Sequence, residues 1–281
     1  MSISGFLGSL PKGSRGEAAL IGVPFDGTAS FRAGARFGPD AIRVGSQSIE
    51  TYSPFIDRDL EGRDYVDWGD LELAPGSAER MVTTVADTVA EVIAADMKPI
   101  LLGGEHTVSL GAIKTLAAKY PDLALLQLDA HADFRDDYLG EKISHATVMR
   151  RAAEYLPAGS LFRFGVRAGT REELVGSGVE LPLGHKGGMR NLEGLINAIP
   201  ENAPIYVTLD LDFFDPSLMP GVGNPEPDGV TYREFIQLVR SLVWRKVVGF
   251  DVVELAPQYD PTGVSAIVAA SAIRELMLCM L

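Results

Sequence analysis

Short apolar runs alternate along the chain with stretches whose apolar positions recur every three to four residues. Ala18–Val23, Pro99–Leu102, Leu123–Leu128, Leu161–Val166, Ile205–Leu209 and Val247–Val253 read as strands. Most are continuously apolar, as expected for parallel strands covered on both faces. Between them, Ala78–Ala95, Val108–Lys119, Leu192–Ala198, Tyr232–Trp244 and Val264–Leu281 read as helices, and Thr231 with Glu234 has the spacing of a capping box. Repeated strand–helix units predict an α/β fold, a layered sandwich with a mainly parallel sheet. No linker, low-complexity tract or internal repeat breaks the alternation, which predicts one domain over residues 1–281.

The strand ends carry the chemistry. Pro99–Leu102 runs into Gly103-Gly104-Glu105-His106, Leu123–Leu128 into Asp129-Ala130-His131-Ala132-Asp133, and Ile205–Leu209 into Asp210-Leu211-Asp212. Val247–Val253 contains Asp251 and leads to Glu254. Sites in open α/β sheets form at the carboxyl ends of strands. One acid at a strand tip is ordinary solvation; four such endings, two of them carrying histidine, point to a site.

Asp129, His131 and Asp133 stand at i, i+2 and i+4, positions that share one side of an extended chain. Asp210 and Asp212 repeat the spacing on a second strand, and His106 adds an imidazole from a third. Four carboxylates and two imidazoles exceed what one ion needs while still admitting substrate. Two ions bridged by shared carboxylates use the whole set and form the usual pair for activating water. Without metal the carboxylates would repel one another and carry an uncompensated desolvation cost. Oxygen-rich ligation without thiolate favours manganese over structural zinc.

Composition narrows the setting. Hydrophobic residues make up 46% of 281, enough for a substantial core. No run approaches the roughly 20 apolar residues of a membrane span, and the first residues lack the pattern of a signal peptide. A lone cysteine, Cys279, cannot form an internal disulfide, which fits a reducing, cytoplasmic setting with the thiol packed in the core. The net charge of −13 repels nucleic acid and steers small cations inward.

The three motifs, with Asp210-Leu211-Asp212 continuing as Phe213-Phe214-Asp215-Pro216, resemble the signatures of the ureohydrolase (arginase/agmatinase) family. Gly22-Val23-Pro24-Phe25-Asp26, Arg32–Pro39 and Phe250–Pro257 extend the resemblance over nearly the whole chain, nearest to agmatinases. The resemblance implies the three-layer α/β/α arginase sandwich, two manganese ions per subunit, and assembly as a trimer or hexamer. It implies that His106 and Asp133 bind one ion, His131 and Asp212 the other, and that Asp129 and Asp210 bridge them. A hydroxide between the ions would then attack a guanidinium carbon, releasing urea and an amine. Asp133 would hydrogen-bond the attacking oxygen, His145 would shuttle protons, an imidazole being suited to proton traffic near pH 7, and Glu254 would anchor the guanidinium by paired N–H bonds.

The sequence departs from the family at Glu105, where aspartate is common, and at Val222 and Asn224, where threonines are common; Asn224 is expected to supply an amide contact to substrate instead. The loop 134–143 holds Asp136, Asp137 and Glu141 against Arg135 and Lys142. This leans toward agmatine, or a longer relative such as aminopropylagmatine, rather than a substrate with an α-carboxylate. Guanidinobutyrate, guanidine, arginine and formimidoylglutamate are the rival substrates, and a non-catalytic metal-binding protein of the same fold is the rival class. A dinuclear phosphoesterase is disfavoured because its Gly-Asp-x-x-Asp-Arg-Gly segment and Asn-His pair are absent. His185 reads as a solvated loop histidine.

Overall fold

The computed structural model describes residues 5–176 and 192–281; His185 lies outside them. The strands are β1 (Leu10–Pro11), β2 (Ala18–Val23), β3 (Tyr52–Ser53), β4 (Arg58–Asp59), β5 (Tyr65–Asp70), β6 (Lys98–Gly103), β7 (Ala124–Leu128), β8 (Leu161–Phe164), β9 (Ile205–Asp210) and β10 (Val247–Val253). The helices are α1 (Gly38–Ser46), α2 (Ala78–Ala94), α3 (Ser109–Lys119), α4 (Val148–Ala152), α5 (Leu192–Ala198), α6 (Tyr232–Leu242) and α7 (Val264–Met280). Eight strands form a sheet in the order β1-β5-β2-β6-β10-β9-β7-β8, with every pairing parallel. The strands β3 and β4 form a separate antiparallel pair.

Strand side chains alternate between two cores. On one face Leu20, Ile100, Leu102, Leu126, Val207, Phe250 and Val252 pack with residues of α1, α5, α6 and α7. On the other, Ala19, Ile21, Leu101, Leu125, Tyr206 and Val248 pack with α2, α3 and α4. This is the three-layer sandwich expected from unbroken apolar strands. Each fully buried Leu, Ile or Val contributes about 1.5–3 kcal/mol.

The expected strands and helices recur with ends moved by one or two residues. The sequence reading lacked β1, β3, β4, β5, α1 and α4. In β5 the apolar run is broken by Asp67, Gly69 and Asp70, and the Asp67 carboxylate is buried against Arg43 Nε of α1 at 2.8 Å. Helix α1 begins Gly38-Pro39 and contains Gly45, poor helix formers in an interior. Gly45 is required by tertiary contact: a Cβ there would lie 2.6 Å from the Ala266 carbonyl of α7. Cys279 is buried, as expected. Its thiol faces the Val239 carbonyl at 3.3 Å, and burial pushes it up to about 12. Among the described residues no helix is long and apolar enough to cross a membrane.

Candidate metal centre and active-site cavity

Four adjacent strands, β6, β10, β9 and β7, deliver the motifs to one edge of the sheet. After β6 the chain must turn at once to bring His106 over that edge, and two glycines permit it. A Cβ on Gly103 would meet Val253 Cγ1 at 2.4 Å, and one on Gly104 would meet the Phe25 carbonyl at 1.8 Å. The short helical turn His106–Val108 follows, with the Glu105 side chain accepting from Thr107 N at 2.8 Å.

The Asp129–Asp133 segment converges differently from the extended path read from the sequence. The strand β7 stops at Leu128, and Asp133 adopts a left-handed conformation with φ 49°. The turns are held by side-chain acceptors: Asp129 Oδ1 takes the His131 N–H at 2.6 Å, and Asp212 Oδ1 takes the Ala130 N–H at 3.1 Å. Asp210 likewise takes the Asp212 N–H at 2.9 Å.

All six candidate ligands meet. His106 Nδ1 lies 3.2 Å from Asp129, 2.9 Å from Asp133 and 3.5 Å from Asp210. His131 Nδ1 lies 2.8 Å from Asp212 and 3.9 Å from Asp129. Two groups therefore offer ligand atoms close enough for one ion each, His106-Asp129-Asp210 and Asp129-His131-Asp212, and Asp129 belongs to both.

The donor chemistry fits divalent cations. Thr208 Oγ1 donates to Asp251 at 2.6 Å and so can only accept from His106 Nε2, 2.8 Å away. The proton of neutral His106 is thereby fixed on Nε2. Its Nδ1 lone pair is buried among carboxylate oxygens with no hydrogen-bond partner. A lone pair facing anions is repulsive unless the ring takes a second proton or a cation lies between.

Without metal the cluster holds protons instead. Burial opposes charge on His131, but Asp212, Asp129 and Asp133 outweigh it and push the imidazole up to about 10. His106 is likewise raised, its carboxylate neighbours overcoming burial. Burial, with Asp133 adding repulsion, lifts Asp129 to about 6. Burial and the neighbouring Asp212 and Asp129 also raise Asp210.

A cavity of about 190 Å³ opens beside the cluster, with His131, Asp133, Asp210 and Asp212 in its lining. His145, Asn224 and Glu254 line it too. Glu254 follows β10 in a left-handed conformation, φ 70°, unusual for a residue with a Cβ. Its Oε1 accepts from His106 N at 2.9 Å, and burial together with Glu105 raises its carboxyl above the usual range. His145 opens a short turn capped by Ser144 and packs edge-on to Tyr138 at 5.4 Å.

The cavity also contains Arg135 of the 134–143 loop and three residues that the sequence reading did not name, Ser30, Tyr138 and Glu173. The loop acids expected near the substrate do not line it. Asp136 is paired with Lys142 and Arg151 at 2.5 and 2.6 Å, and Asp137 accepts from Gly140 N. The acid that lines the cavity with the candidate ligands is Glu173, which takes the Phe134 and Thr170 N–H groups and lies 3.5 Å from Arg135 Nε. Behind the cluster, Gln127 Nε2 donates to Asp129 at 2.7 Å. Arg163, its neighbour on β8, is buried over the Phe134 ring with no hydrogen-bond partner among the described residues.

The arginase-family model matches residues 16–279. The chain belongs to the arginase family. It is 39% identical over 277 residues to the agmatinase of Bacillus subtilis (strain 168), covering 97% of this chain and 95% of that one. It is 37% identical over 256 residues to the N(1)-aminopropylagmatine ureohydrolase of Thermococcus kodakarensis, 88% of this chain and 86% of the other. The crystal structure of agmatine ureohydrolase of Thermoplasma volcanium superposes with a TM-score of 0.88 at 31% identity, over 100% of this chain and 95% of that one. This arginase-family chain is a hydrolase of the ureohydrolase kind, similar to the agmatinases, and its sandwich is the arginase fold.

Proposed function

We propose that the protein is a dinuclear manganese ureohydrolase that cleaves agmatine to putrescine and urea. The carrying observation is the Asp129 carboxylate common to two His/Asp groups beside a cavity that also holds Glu254 and His145. In this reading residues 1–281 form one catalytic domain. His106, Asp133, Asp129 and Asp210 would hold one ion, and His131, Asp212, Asp129 and Asp210 the other. The oxygen-rich set without thiolate favours manganese. Bound divalent ions supply a water acidic enough to act as nucleophile near neutral pH.

The chain's own residues do the rest. Glu254 receives paired N–H groups of the planar guanidinium, and that cation restores the charge which burial suppresses. Asn224 offers its amide to a remaining N–H. Asp133 accepts a proton from the attacking water, and His145 delivers one to the departing amine. Glu173 lines the cavity where a cationic tail would lie, and the B. subtilis relative, named an agmatinase, supports agmatine as the substrate.

A second reading keeps the chemistry and changes the tail. Arg135 lines the same cavity, so a guanidino acid such as guanidinobutyrate has a partner for its carboxylate. Urea release by manganese-loaded protein, measured on agmatine, aminopropylagmatine, guanidinobutyrate and arginine, tests the reading. Agmatine should give the highest kcat/KM. A faster guanidino acid overturns the substrate, and no urea from any of them overturns the function.

We further propose a cytoplasmic homo-oligomer, a trimer or hexamer. The buried free thiol supports the compartment, and exposed Phe37 and Val44 beside exposed Val264 and Ile267 of the neighbouring α7 support assembly. Light scattering of the purified protein checks the mass.

A further inference from the structure

The loop after β2 reaches across the sheet edge to the turn that carries His145. Thr28 Oγ1 donates to Glu105 Oε1 at 2.7 Å, and the same carboxylate oxygen accepts Thr28 N at 3.1 Å. Glu105 is fully buried, and its second oxygen is bonded to Thr107 N. With its hydrogen committed to a carboxylate, the Thr28 oxygen can only accept from other neighbours. It accepts the His145 backbone N–H at 3.1 Å and stands 3.3 Å from Thr107 Oγ1 and 3.4 Å from His145 Nδ1. On the other side of the ring, Ser30 Oγ stands 3.3 Å from Nε2.

From this geometry we infer that Thr28 is a positioning residue for His145, fixing both the place and the tautomer of its ring. The inference rests on the reading of His145 as the proton carrier. An acceptor at Nδ1 requires the neutral ring to carry its proton there. Nε2 is then left with a lone pair on the side of exposed Ser30, which lines the cavity with His145. This is the nitrogen that must gain and lose a proton during turnover. In the transfer the Nε2–H bond of the imidazolium breaks as an N–H bond forms on the departing amine, and the Nδ1–H bond to Thr28 persists. The arrangement follows the general logic of a carboxylate that selects a histidine tautomer, with a threonine hydroxyl interposed. It also gives Glu105 work that its length suits, because it spans from the His106 turn to the Thr28 loop.

The test compares Thr28→Val, which keeps the shape and removes the hydroxyl, with Thr28→Ser, which keeps the hydroxyl, and uses His145→Ala as control. Thr28→Val should bind manganese as the parent does and keep KM within about threefold. Its kcat should fall roughly tenfold to hundredfold, the usual cost of losing a partner that orients a functional group, and Thr28→Ser should recover most of it. Nitrogen-15 spectra of histidine-labelled, metal-free full-length protein should show His145 protonated on Nδ1 in the parent and in Thr28→Ser, and the opposite tautomer in Thr28→Val. Parent-like turnover of Thr28→Val, a loss that tracks metal content or KM, no recovery in Thr28→Ser, or an unchanged tautomer each overturns the inference. Parent-like turnover of His145→Ala instead overturns the role of His145 itself.

Discussion

His106 Nδ1 lies 2.9 Å from a carboxylate oxygen of Asp133, while the ring's proton is fixed on the opposite nitrogen by Thr208. A lone pair facing an anion in this way is relieved by a cation or by a second proton on the ring. This relationship also sets the first prediction. Asp129 takes part in both ligand groups, and Asp212 in one. Asp129→Ala should abolish binding of both ions, whereas Asp212→Ala should retain one. Elemental analysis of the dialysed variants checks the counts.

His145 is not among the grouped ligand atoms. His145→Ala should therefore keep its metal while kcat falls by about 10²–10⁴, the range for general acid–base catalysis. Urea release and metal content measured on the same sample separate the two effects.

Protons and metal compete for the centre. The folded value of His131, about 10, lies above its ordinary 6.5, so its protonation stabilises the metal-free fold fully below about 6.5 and that contribution is lost as pH rises through 10. Asp129, raised to about 6, contributes in the same direction at lower pH. The metal-free protein should lose stability between pH 6 and 10 on this account. Apparent manganese affinity should rise over the same window, with protons released on binding. Melting curves with and without manganese, together with calorimetry in buffers of different ionisation enthalpy, read both effects.

Away from the cavity, Arg43 joins α1 to β5 through buried Asp67 at 2.8 Å and through Asp70 at 2.5 Å. Arg43→Met leaves Asp67 buried without its cation and should cost about 3–5 kcal/mol. Urea denaturation should show this as a lower midpoint at constant slope.

Much of this architecture was legible before the structure. Strands β2, β6, β7, β9 and β10 are largely apolar runs, and burial on both faces favours that pattern. The clustering of the six candidate ligands was legible because acid and imidazole at strand tips have few other reasons to gather. Strand β5 was not, because Asp67 interrupts it and is tolerated through Arg43, 24 residues away, and the Phe6 and Gly69 N–H groups. The path of Asp129–Asp133 was misread as extended because the left-handed turn at Asp133 depends on contacts that spacing does not encode. Thr28, Ser30, Gln127 and Thr208 carry hydroxyls or amides that are common everywhere, and only folding brings them to His145, Asp129 and His106. Glu173 was passed over in favour of Asp136 and Asp137. Nothing local marks it as buried, and nothing local marks Asp136 as already paired with Lys142 and Arg151.

The central claim is that one carboxylate, Asp129, is shared by two ions. Anomalous diffraction from crystals grown with manganese, collected on both sides of the manganese edge, tests it directly. The account predicts two peaks, one by His106 and one by His131, with Asp129 between them. A single peak, or none at these residues, would contradict it.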